Sequence, residues 1–149
     1  MSDIGTTVEK LIPKSLDEII RNHRDEVSLR LATAEDYASL PPMVSSIDRQ
    51  RPVRATINEW RIVCIVLPPE LGGNKLILSG MHQAQDCTWC TSSIVSVDFE
   101  NNLVLTDNSL YRLGSKGEGE PGMHILLHIC HCLHSWGIGE RLGALPIFY

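Results

Sequence analysis

The chain has 149 residues, 43% of them hydrophobic and 21% charged, the balance of one globular domain able to bury a core without disulfide staples. Its formal charge of −5, with histidine neutral, argues against a broad nucleic-acid surface, which would be basic, leaves room for a local basic patch, and fits binding to a basic partner. Five cysteines cannot all pair, the first residues lack a basic segment followed by an apolar run, and the longest apolar run, Ile62 to Leu67, is far short of a membrane span. The expected setting is therefore the reducing cytoplasm, with no membrane contact, and whether the chain forms a small homo-oligomer is left open.

In chain order, residues 1–13 read as a flexible lead to a single α+β domain spanning 1–149. Ser15 with Glu18 three residues later has the form of a capping box, and Leu16, Ile19 and Ile20 give the apolar stripe of a surface helix running to Glu26. Thr33 caps a short second helix that Pro41-Pro42 stops. Five strands follow. Ile62–Leu67 is β-branched and bounded by prolines, Leu71-Gly-Gly-Asn74 turns, and Lys75–Ser79 is the second strand. Thr91–Phe99, Leu103–Thr106 and Ser109–Leu113 alternate around turns at Glu100–Asn102 and Asp107-Asn108. Residues 114–122 (GSKGEGEPG) read as a mobile linker, and Pro121 suits the start of a helix from about Met123 to Trp136 that Gly137 ends. The expected fold is a twisted antiparallel sheet of five strands, a meander or small partly open barrel, covered by the N-terminal helices and a long C-terminal helix.

The chemistry-bearing residues gather in that last helix. Four of the six histidines and two of the five cysteines lie between His124 and His134. On a helical wheel Ile125, Leu126, Ile129, Cys130 and Leu133 form the core side, and His124, His128, His131 and Cys132 share the opposite stripe. One reading makes that stripe the polar outer face of a helix lying on a sheet, with Cys130 as a small core hydrophobe. The other makes it half of a metal site, because ligands four residues apart bind one ion between turns. Cys87-Thr-Trp-Cys90 has the spacing of a zinc turn, so Cys87, Cys90, His124 and His128 form the candidate Cys2His2 set, although 33 residues separate its halves. Zinc is the cofactor of that reading; the first reading needs none, and predicts a fold that survives chelation.

Other chemistry finds no support. A redox Cys-x-x-Cys needs its first cysteine at a helix N-terminus, whereas Thr91-Ser-Ser-Ile-Val-Ser-Val97 forms a strand. The His-x-Glu and Pro-Cys-x-x-Cys pair of zinc deaminases is missing, as are the metalloprotease helix, the nucleophile elbow and the phosphate-binding glycine loop, so no catalytic residue is assigned. A basic run of Arg49, Arg51 and Arg54, with Trp60 beside it, and the acidic turns carrying Asp98, Glu100 and Asp107 are the candidate partner-binding faces.

The stretches Cys90-Thr-Ser-Ser-Ile-Val-Ser-Val-Asp98 and Asn108–Leu113, with the ending His131-Cys-Leu-His-Ser-Trp-Gly-Ile-Gly-Glu-Arg-Leu-Gly143 and Pro-Ile-Phe-Tyr149, resemble small bacterial and mobile-element (phage or plasmid) proteins. The resemblance covers the C-terminal third to half and carries no catalytic residues with it. It implies a non-catalytic protein that binds and blocks another, such as a host defence or nucleic-acid-processing complex, in the manner of an anti-CRISPR protein. The alternative is the zinc-stabilised binding domain.

Overall fold

The computed structural model describes residues 12–43, 51–107 and 109–145. Its organising element is strand β2, 14 residues from Val53 to Val66. A meander continues through β3 (Lys75–His82), β4 (Cys87–Asp98), β5 (Leu103–Thr106) and β6 (Leu110–Leu113), each antiparallel to the one before. An up-and-down meander with an odd number of strands brings its first and last strands together pointing the same way. Here β2 pairs with β6 in parallel, from Val53 opposite Leu110 to Ile57 opposite Leu113, and the five-stranded sheet closes into a barrel. A sixth strand, β1 (Ser28–Leu31), adds antiparallel to the far half of β2, Leu31 opposite Val63.

Strand β2 serves both neighbours because it bends midway. Its register with β3 shifts between Asn58 and Arg61, and Glu59 takes a left-handed φ of 51°. Gly80 of β3 permits this: a Cβ there would sit 2.6 Å from the Asn58 carbonyl oxygen. After β6 the chain follows the bend. Trp60 donates its backbone N–H to the Ser115 oxygen, and Gly117 returns a bond to the Trp60 oxygen. The Arg61 guanidinium donates to the backbone oxygens of Glu118 and Gly119, both at 2.7 Å.

Alternation along the strands makes two cores. Every barrel strand contributes to the interior: Ala55, Ile57, Ile62 and Cys64 from β2, Leu76 and Leu78 from β3, Ile94 from β4, Val104 from β5, and Tyr111 and Leu113 from β6. Residues of the other parity, Val63, Ile65 and Ile77, pack with Leu29 of β1, with Leu16, Ile19 and Ile20, and with Ile125, Leu126, Ile129 and Leu133 of helix α2 (Met123–Ser135). A small satellite joins Met43, Leu105 and Leu110.

The molecule is thus α+β and mostly sheet, with few helices. The expected helical cover needs correction. Leu16, Ile19 and Ile20 are buried, yet only Leu16–Glu18 is helical, as one 3-10 turn. Ser15 makes no capping bond, and Glu18 accepts instead from the Lys14 N–H at 2.6 Å. The backbone N–H groups of Arg21 and Asn22 bond the Leu142 oxygen, and His23 turns left-handed at φ 60°, so a helix cannot continue to Glu26. The Thr33 cap does form: helix α1 (Ala34–Ala38) opens with a reciprocal box between Thr33 and Asp36. Helix α2 is 13 residues, and among the described residues the C-terminal layer is completed by the four-residue α3 (Gly139–Leu142). Gly137, at φ 84°, ends α2, and the Ile138 N–H reaches back to the Leu133 oxygen. Among the described residues no helix is long and apolar enough to cross a membrane.

Candidate metal site between strand and helix

Strand β4 begins at Cys87, so the residues of the Cys-x-x-Cys segment are extended. In a strand, side chains alternate between faces, and residues three apart point to opposite sides. Trp89 belongs to the barrel-interior group, whereas Cys90 packs against the core that contains α2. Thr88 shares the Cys90 face and Cys87 shares that of Trp89. Two steps along a strand rise ~6.8 Å and four along a helix ~6 Å, so Thr88 and Cys90 match His128 and Cys132 as two rungs.

The first rung is a hydrogen bond of 2.8 Å between His128 Nδ1 and Thr88 Oγ1. The second is a thiol pair. Sulfur atoms of Cys90 and Cys132 and a ring nitrogen of His128 all lie within 4.8 Å of one another. Cys132 is 9% exposed and Cys90 half-buried. The two thiols are pushed apart in acidity. The hydrogen bond from Cys90 pulls the Cys132 thiol well below its ordinary value, against the effect of burial and with help from His128 and His131. Cys90 is pushed up by that same bond and by burial. The thiol of lowered pKa stands beside a ring nitrogen, a donor pair that suits a soft or borderline cation. With Zn–S of ~2.3 Å a tetrahedral sulfur pair stands ~3.8 Å apart, so closing on an ion asks for shifts of at most about 1 Å. The Thr88 bond at Nδ1 fixes the His128 ring against β4, as outer-shell partners fix metal-bound histidines.

The sequence-based set of Cys87, Cys90, His124 and His128 is therefore brought together only in part. Cys90 and His128 meet. Cys87 is exposed on the other strand face, with its thiol 3.9 Å from Gln85 Oε1. His124 is exposed one turn before His128. The residue missing from that set is Cys132, four positions after His128. Within its stripe, His128 and Cys132 face β4 while His124 is exposed.

The candidate partner faces are spread over the barrel. Arg49 lies outside the described residues, and Arg51 is exposed. Arg54 stands 5.4 Å over the Trp89 ring and reaches Ser109 Oγ at 3.5 Å. Trp60 is buried, donates its indole N–H to the Gly114 oxygen at 3.2 Å and stacks on Phe99. Asp98 organises the β4–β5 turn by accepting from Asn101 Nδ2 at 2.9 Å, with Glu100 exposed in the same turn. Asp107 lies at the other end of β5, where its backbone N–H bonds the Ser93 oxygen at 3.1 Å.

Fold and cluster together define a class: a small closed barrel-like domain with a Cys-His-Cys group able to hold a metal ion. Comparison with protein-family models, with curated proteins and with solved structures found no match to this chain.

Proposed function

We propose that this protein is a zinc-stabilised binding domain in which Cys90, His128 and Cys132 hold the ion that clasps helix α2 to strand β4. The observation that supports it is the convergence of two sulfurs and a ring nitrogen within 4.8 Å, from elements 38 residues apart between Cys90 and His128. The donor set is soft, which suits zinc over magnesium or calcium. The barrel has its own interior core, so the ion secures the helix and does not nucleate the fold. The activity of the clasped domain is stoichiometric binding of a protein, the behaviour implied by the resemblance of its C-terminal half to small mobile-element proteins.

Metal analysis tests the reading. Protein purified without chelator and dialysed against metal-free buffer is expected to retain close to one zinc per chain. Cys90→Ser, His128→Ala and Cys132→Ser should each lose it, and Cys87→Ser and His124→Ala should keep it. A metal-free wild type that also fails to bind added zinc, or equal loss in Cys87→Ser and His124→Ala, would overturn the assignment.

A further inference from the structure

The five cysteines occupy different chemical environments. Cys64 lies in the barrel interior and Cys130 on the core side of α2, both fully buried and in separate clusters. Cys87 is exposed on the strand face turned away from α2. Cys90 and Cys132 bring their sulfurs within 4.8 Å of each other. One sits on a strand and the other on a helix, and the Thr88–His128 rung beside them holds the two elements in register. Closing the pair to bonding distance requires no change of partner strand or helix turn, only a shorter separation across an interface already packed.

We propose that Cys90 and Cys132 are a reversible redox modification site, a dithiol that hydrogen peroxide converts to an intramolecular disulfide. The sulfur of one thiol attacks a peroxide oxygen, the O–O bond breaks, and a sulfenic acid and water result. The second sulfur then attacks the sulfenic sulfur, the S–O bond breaks, the S–S bond forms and a second water leaves. Two thiols and one peroxide thus give one disulfide and two waters. A dithiol reductant reverses the step. The coupling stands on the position of the two sulfurs alone. Its consequence for metal rests on the zinc reading: the sulfurs that hold the ion are those consumed, so oxidation expels zinc and reduction restores the site.

The experiment treats the full chain with hydrogen peroxide, once after chelation and once loaded with zinc, and maps linkages by non-reducing peptide mass spectrometry. The expected product in the chelated sample is a monomer lighter by two hydrogens with Cys90 linked to Cys132, formed equally in Cys87→Ser and removed by dithiothreitol. In the loaded sample the same linkage should appear with release of the ion, followed by a chromogenic zinc indicator. Cys90→Ser and Cys132→Ser should form no intramolecular bridge while keeping the far-ultraviolet circular dichroism of the wild type. Disulfides confined to Cys87 between chains, or over-oxidation of Cys90 and Cys132 without linkage, would overturn the proposal. A Cys90–Cys132 linkage in a protein that never binds zinc would sink the metal reading and leave the redox site standing.

Discussion

Truncating Leu133 tests whether helix α2 is a packed part of the fold or an appendage. Leu133 is 0% exposed and shares its cluster with Leu126, Ile129, Leu142 and Ala144. Leu133→Ala removes three carbons from a closed site, and fully buried leucines truncated in this way cost ~2.7–5 kcal/mol, rising with the volume left empty. The wall opposite includes α3, only four residues long, which can settle part way into the space. The lower part of that range, about 3 kcal/mol, is therefore expected. With an m-value of ~2 kcal/mol per molar urea for a chain of this size, the midpoint should fall by ~1.5 M. The assay is urea unfolding followed by circular dichroism and tryptophan fluorescence, with chelator present so that metal does not contribute. Met123→Ala, at a position 48% exposed on the same helix, is the control and should stay within ~0.5 kcal/mol. An unmoved midpoint in Leu133→Ala, or equal shifts in both variants, would refute the packing described for α2.

Three further outcomes follow from the site and the caps. Thr88→Val keeps the shape of the side chain but removes the hydroxyl that orients His128, so zinc affinity in a competition titration should fall ~10–100-fold with the stoichiometry unchanged. Chelation of loaded protein should lower Tm by ~5–10 °C, about 2.7 kcal/mol at a free zinc level of ~100 Kd, with the far-ultraviolet spectrum at 25 °C retained because the barrel core needs no ion. The Asp36 carboxyl is held down to about 2 by its hydrogen bonds from Arg30, with Thr33 adding to the effect. Its stabilising contribution is present above the unfolded value near ~4 and is lost as pH falls through about 2, so Asp36→Asn should flatten the stability profile in that window and cost ~1 kcal/mol at neutral pH, as measured by urea unfolding.

The meander is legible in the sequence because its signals are local. Ile94 and Val97 lie on β4, Leu103 and Leu105 on β5, and the turn between them ends on Asn102, which adopts the left-handed φ of 56° that asparagine tolerates. The first half of β2 is hidden, although Val53, Ala55 and Ile57 alternate there, because the uninterrupted apolar run at Ile62–Leu67 outweighs a pattern diluted by Arg54, Asn58 and Glu59. That half is the part that pairs with β6, and a parallel closure between Val53 and Leu110 leaves no mark in either segment alone. Strand β1 is four residues, too short for a period to show. The N-terminal stripe has a helical period, but its backbone donors find the Leu142 carbonyl, a long-range contact that overrides local propensity. At the site, the helix half is legible: the four-residue spacing of His128 and Cys132 places them together. The strand half misleads because Cys87-x-x-Cys90 acts as a ligand pair only in a turn. Once β4 starts at Cys87, parity separates the two cysteines and leaves Cys90 alone facing α2.

Cobalt substitution measures the central claim most directly, because cobalt(II) takes the zinc position and its absorption reports the ligands. Titration of the chelated wild type with cobalt should give intense visible bands of a tetrahedral site and a near-ultraviolet thiolate charge-transfer band, saturating at one equivalent and abolished by zinc. Cys90→Ser and Cys132→Ser should each weaken the charge-transfer band and His128→Ala should shift the visible envelope, while Cys87→Ser and His124→Ala leave both unchanged. A weak octahedral spectrum without charge transfer in the wild type, or a spectrum that responds to Cys87 and His124 and not to Cys132, would contradict the account.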